Sequence, residues 1–138
     1  RDLSFFPNSS KFIAAHSDGR LSLWSLTEAA GKWKLKQLNA TMAHGGKQSY
    51  AVACLPDGQQ VLSVGADKRA LLWDIRGPIK ELASDTDQLY AVAVSPDGKI
   101  GVAGGRSGHL LVLSIRDGSV IKKFVPPAPK LEEPAPAN

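Results

Sequence analysis

With 138 residues, 43% hydrophobic and 22% charged, the chain has apolar material for a folded core and too little charge for a disordered segment. A single cysteine excludes an internal disulfide framework. There is no signal-peptide pattern and no run of about 18 apolar residues, so no contact with a membrane is expected. The formal net charge is +4, and seven of the 17 basic residues precede residue 50, among them the alternating Lys32, Lys34 and Lys36; an outer strand with Trp33 and Leu35 on its other face accounts for that pattern without a nucleic-acid partner.

In chain order, the first strand is expected at Asp2-Leu3-Ser4-Phe5-Phe6, where Leu3 and Phe5 occupy the same offsets before Pro7 that Val52 and Cys54 occupy before Pro56. Lys11 to Ala15 and Leu21 to Leu26 follow as second and third strands, and Lys32 to Leu38 as a fourth, outer strand. The extra residues of this stretch are placed in a Thr27 to Gly31 turn and an Asn39 to Ser49 loop. The middle stretch, Tyr50 to Ile75, has Val52 and Cys54 alternating with small residues up to the turn Leu55-Pro56-Asp57-Gly58. Gln60 to Val64 then leads to the turn Gly65-Ala66-Asp67-Lys68, and Ala70 to Ile75 ends at Arg76-Gly77-Pro78. A third unit has strands at Tyr90 to Val94, Ile100 to Gly104, Leu110 to Ile115 and Val120 to Val125.

The three units share landmarks. Pro7, Pro56 and Pro96 are 49 and 40 residues apart, as are Trp24, Trp73 and Leu113, and Asp18, Asp67 and Ser107. Self-similarity near 40 residues, with four short strands per unit and a Trp-Asp pair at Trp73 and Asp74, is the pattern of a propeller blade. From Arg1 to Val125 the chain resembles the WD40-repeat family. The resemblance implies an all-β fold of three four-stranded antiparallel blades at about 1–39, 50–83 and 89–125, followed at 126–138 by a proline-rich tail or linker with one PxxP match. Propellers run from about four to eight blades, so three form an incomplete ring. Closure is expected either from a ring of two or three copies or from the remainder of a longer chain; the start at Arg1, directly in a strand, favours the longer chain.

The resemblance also implies a buried structural tetrad of histidine, serine, aspartate and tryptophan, matched in the middle unit by His44, Ser63, Asp67 and Trp73, with His44 one position farther from Pro56 than the common spacing. A hydrolase triad is set aside because Ser63 falls inside a strand, beside Val61, Leu62 and Val64, where a nucleophile has no access. The flanking units are reduced versions: Asp18 and Trp24 with Ala14 at the serine position in the first, and Ala103, Ser107 and Leu113 in the third. His16 and His109 are expected beside turns as ordinary polar residues. The three histidines lack metal-ligand spacing, and the glycines from Gly101 to Gly108 lack the following helix of a phosphate cradle, so no metal or cofactor is expected. The resemblance places a working surface at the end carrying the loops before the first strands, with Arg1, Tyr50, Tyr90 and Arg106 as candidate partner-binding residues. The expected function is a non-catalytic scaffold for a protein or peptide partner; the alternative is a propeller segment of a larger enzyme or redox protein.

Overall fold

The computed structural model describes residues 1–127 and contains strands and turns only. Of the expected proline-rich tail, all but Pro126 and Pro127 lies outside the described residues. Blade 1 comprises β1 (Asp2–Phe5), β2 (Lys11–Ala15), β3 (Arg20–Ala29) and β4 (Lys32–Met42). Blade 2 comprises β5 (Ser49–Cys54), β6 (Gln60–Gly65), β7 (Arg69–Asp74) and β8 (Ile79–Ser84); blade 3 comprises β9 (Leu89–Val94), β10 (Ile100–Gly105), β11 (Leu110–Ser114) and β12 (Val120–Phe124). Within each four-stranded sheet the strands lie in chain order and run antiparallel, the meander that short polar turns enforce.

Blade 2 buries apolar residues on both faces, because it has a sheet on either side. Ile13, Ala15, Leu21 and Leu23 of blade 1 pack against Val52, Val61, Leu71 and Trp73 of blade 2. Across the next junction, Leu62, Leu72 and Leu82 of blade 2 meet Ile115 of blade 3, and Val64 and Ala70 meet Leu89, Ala103, Leu111 and Leu113. Side chains also tie unpaired neighbouring strands together: the Val52 backbone N–H donates to Asp2 Oδ2 at 3.0 Å and that of Cys54 to Ser4 Oγ at 3.1 Å. Cys54 itself is half buried, its Sγ donating to the Ser4 carbonyl at 3.3 Å, and burial pushes its thiol up to about 11.

The two ends of the stack are open. Leu3 and Phe5, which stand 49 residues before Val52 and Cys54, are 64% and 57% exposed, since none of the described strands covers that face of blade 1. At the other end Leu110, 40 residues after the fully buried Ala70, is 44% exposed.

Blade 1 corrects two expectations. The extra residues do not form a longer turn and loop: β3 and β4 extend to 10 and 11 residues and meet in a two-residue turn in which Ala30 (φ 51°) and Gly31 (φ 74°) are both left-handed, the geometry that suits strand twist in a tight hairpin. Nor is one face of β4 covered. Trp33 and Leu35 are 68% and 54% exposed, so both faces of the strand meet solvent.

Candidate functional site

The end of the stack that carries the β4–β5 and β8–β9 loops and the β2–β3, β6–β7 and β10–β11 turns gathers the polar residues singled out above. In blade 2, His44 comes from the loop before β5, Ser63 from β6 and Asp67 from the turn after it. His44 is fully buried; its Nδ1 lies 2.8 Å from Asp67 Oδ1 and its Nε2 3.0 Å from Ser63 Oγ. A carboxylate only accepts, so Nδ1–H donates to Asp67 and Nε2 accepts the Ser63 hydroxyl proton. Burial pushes the imidazole below its ordinary value, against the opposing pull of Asp67, which keeps His44 neutral. Asp67 also accepts from the Arg69 backbone N–H at 3.2 Å and from Arg69 Nε at 2.8 Å.

The imidazole needs a glycine beside it. A Cβ on Gly65 would stand 2.9 Å from His44 Nδ1 and 2.6 Å from the Gln48 carbonyl oxygen. Trp73, 2% exposed, is placed instead in the core shared by blades 1 and 2, with Phe6, Ile13 and Leu71. The hydrogen-bonded set is therefore His44, Ser63, Asp67 and Arg69.

Blade 1 builds a different chain. Trp24 Nε1–H donates to Ser22 Oγ at 2.7 Å, and the same hydroxyl lies 2.6 Å from His16 Nε2. Here the serine is on β3, two residues before the tryptophan, and not on β2 where Ala14 stands; same-face spacing on one strand was the signal for it. Asp18 pairs instead with Arg20 in solvent, 2.7 Å from its Nε.

Blade 3 reverses the blade 2 pair. Asp85, from the loop before β9, takes the histidine's place, and His109, at the end of the β10–β11 turn, donates from Nδ1 to Asp85 Oδ2 at 3.0 Å. Lys123 Nζ donates to Asp85 Oδ1 at 2.6 Å, and the Thr86 backbone N–H donates to the same oxygen at 2.6 Å. Burial alone would push this carboxyl up, but the hydrogen bonds from Lys123, His109 and Thr86 outweigh it and hold it at about 2. His16 and His109 are thus bonded members of the loop network, whereas they were expected as ordinary turn residues. Ser107 is exposed, and its backbone N–H is bound by Asp87.

The two tyrosines occupy equivalent irregularities. Ser49 pairs with Gly65 and Ala51 with Val64, so Tyr50 is the extra residue of a bulge; Leu89 pairs with Gly105 and Ala91 with Gly104, so Tyr90 is the same residue one blade on. Bulges re-aim a side chain out of the ladder. The rings meet across the blade junction with centroids 4.4 Å apart, tilted by 43°. Arg1 Cζ is 5.6 Å from the Tyr50 ring centroid, and the Tyr90 hydroxyl donates to Gln88 Oε1 at 3.0 Å. Burial and the neighbouring Tyr90 push the Tyr50 hydroxyl up, while the charges of Arg1 and Arg106 pull it down. Chemically the cluster offers two aromatic rings and the Arg1 guanidinium. Among the described residues no three His, Cys, Asp or Glu side chains gather to hold a metal ion.

Stacked four-stranded meanders, tied at one end by buried histidine–acid pairs, define the chain as a set of β-propeller blades. The chain carries a repeat of the WD40 family. The family model described as "WD domain, G-beta repeat" matches residues 36–74, a repeat that runs from the outer strand of one blade to the third strand of the next. WD repeat-containing protein 1 of Gallus gallus is 34% identical over 73 residues, covering 51% of this chain and 11% of that protein. Shk1 kinase-binding protein 15 of Schizosaccharomyces pombe is 33% identical over 75 residues, covering 54% of this chain and 20% of that one. Among solved structures, the C-terminal WD40 domain of Sif2 superposes with a TM-score of 0.73 at 18% identity, over 90% of this chain and 36% of the other, a likeness of fold. The chain matches about a tenth to a fifth of the length of these two curated relatives.

Proposed function

We propose that the chain is a non-catalytic scaffold that binds a protein or peptide partner on its loop end, through Tyr50, Tyr90, Arg1 and Arg106. The observation that carries this reading is the tyrosine pair. Two successive blades place a bulge at the same position to turn an aromatic ring out of the ladder, and the rings meet with Arg1 over Tyr50. Tyrosine and arginine dominate binding hot spots because they bury a large area and keep a polar handle. Against catalysis at the neighbouring triad-like group stands the complete burial of Ser63, which leaves its hydroxyl no access to a substrate. One of the relatives is named for binding a kinase, which favours a protein over a small molecule as partner class. The alternative, that these blades accompany a catalytic or redox domain of a larger protein, leaves the same surface as the recognition element.

The test is a peptide-display selection against the chain. Peptides recovered this way should lose about tenfold in affinity to a Tyr90→Ala variant and to an Arg106→Glu variant, the scale of a hot-spot truncation. Affinities unchanged in both variants would reject this face as the binding surface.

We further propose that other blades cover the two open ends, supplied by the remainder of a longer chain or by a ring of two or three copies. Leu3 and Phe5 at one end are equivalents of residues that blade 2 buries, and apolar faces of that kind mark interfaces. Light scattering of the 14.7 kDa chain across a concentration series separates the two sources. A stable dimer or trimer selects the ring of copies, and a monomer that aggregates selects the longer chain. A monodisperse monomer at every concentration would overturn both.

A further inference from the structure

The β3–β4 hairpin is longer than the blades need. β3 has 10 residues where β7 has 6, and since Arg20 and Ser25 stand 49 residues before Arg69 and Asp74, the extra four, Leu26 to Ala29, run past the end of the neighbouring blade. At the usual rise per residue the arm overhangs by about 13 Å, at the end of the stack opposite the tyrosine pair. Blades of ordinary length set beside it leave this overhang uncovered.

The arm has two chemically distinct faces and one free edge. Cross-strand pairing puts Trp33 with Glu28 and Leu35 with Leu26 on one face; it puts Lys32 with Ala29, Lys34 with Thr27 and Lys36 with Ser25 on the other. No acid stands across from any of the three lysines, and among the described residues none of them is ion-paired. β4 is the last strand of its sheet and pairs only with β3, so its outer edge presents a row of backbone N–H and C=O groups. A row of that kind is completed by another strand.

We propose that the free edge of β4 is a docking site for an extended acidic segment of a partner protein, one in which acidic and apolar residues alternate. Backbone pairing along the edge supplies affinity. Acidic side chains on one face of the added strand meet Lys32, Lys34 and Lys36, while apolar side chains on the other extend the surface of Trp33 and Leu35. A second copy of this chain fits the edge badly, because pairing β4 with β4 brings lysines onto the same face as lysines. A nucleic acid or a lipid surface matches the cationic or the apolar face but leaves the edge unpaired.

The probe is a fluorescent peptide of about eight residues alternating glutamate and valine, titrated into the 138-residue chain and followed by anisotropy. Saturable binding is expected. It should weaken by about tenfold in a Lys32→Glu, Lys34→Glu, Lys36→Glu variant, and measurably in Trp33→Ala. N-methylation of alternate peptide amides tests strand addition with the protein unaltered: one frame should abolish binding and the other leave it, since only every second N–H of an added strand faces β4. The proposal is overturned if the alternating peptide does not bind, if a peptide of glutamate alone binds equally well, or if both methylation frames are tolerated. It is also overturned if phosphatidylserine vesicles retain the chain through Trp33 while the peptide does not bind.

Discussion

Replacing Leu62 by alanine is expected to lower stability by about 2 to 5 kcal/mol, the range for a large-to-small change in a filled core. Leu62 is fully buried at the junction of blades 2 and 3, among Leu55, Leu72, Leu82 and Ile115. Blade 3 receives it at Gly101, where an added Cβ would stand 2.7 Å from Leu62 Cδ2. The facing backbone is held in a sheet and cannot collapse into the space the alanine leaves, so the loss combines transfer free energy with a cavity. The urea midpoint should fall without a change in slope. Leu38→Ala, at a residue 41% exposed on β4, should stay within about 0.5 kcal/mol. Equal shifts in the two variants would mean that blades 2 and 3 do not share a close-packed core.

Asp67→Ala is expected to cost about 1 to 3 kcal/mol, because it strands a buried donor. Loss of the carboxylate leaves His44 Nδ1–H, in a fully buried ring, without an acceptor, and frees Arg69 from its 2.8 Å bond. Ser107→Ala should cost a few tenths of a kcal/mol, since the residue is exposed and the backbone N–H that Asp87 holds is retained. Thermal unfolding of the two variants side by side is the measurement. The same shift in both would remove Asp67 as the lock between the β4–β5 loop and the β6–β7 turn. The like-for-like comparison in blade 3 is with Asp85, which holds the equivalent loops with the acid and histidine exchanged.

Much of the architecture could be read from spacing. The recurrence of Pro7, Pro56 and Pro96 with Trp24, Trp73 and Leu113 marked three meanders, and the alternation of Val52 and Cys54 with small residues marked a strand whose side chains meet blade 1. Alternation cannot tell a strand covered on one side from one covered on neither, and the turn chemistry of Ala30 and Gly31 was hidden among other small residues; the β3–β4 arm was therefore read as a turn and loop. The same limit applies to the site. His44, Ser63 and Asp67 stood out because they match a known spacing, whereas Ser22, Asp85 and Lys123 took up equivalent tasks from positions that a repeat alignment leaves blank.

Local chemistry alone determines where this chain turns, which residues alternate into a sheet, and that the unit occurs three times, because those properties depend on neighbours in sequence. Pairing across blades was decided only by the folded structure. The exchange of acid and histidine in blade 3, the stacking of Tyr50 on Tyr90, the exposure of both faces of β4 and the two open ends all arise from groups about 20 to 50 residues apart, or from the absence of a neighbouring sheet. A hydrogen bond is fixed by where its donor and acceptor end up in space, and several sequence positions can bring them to the same place.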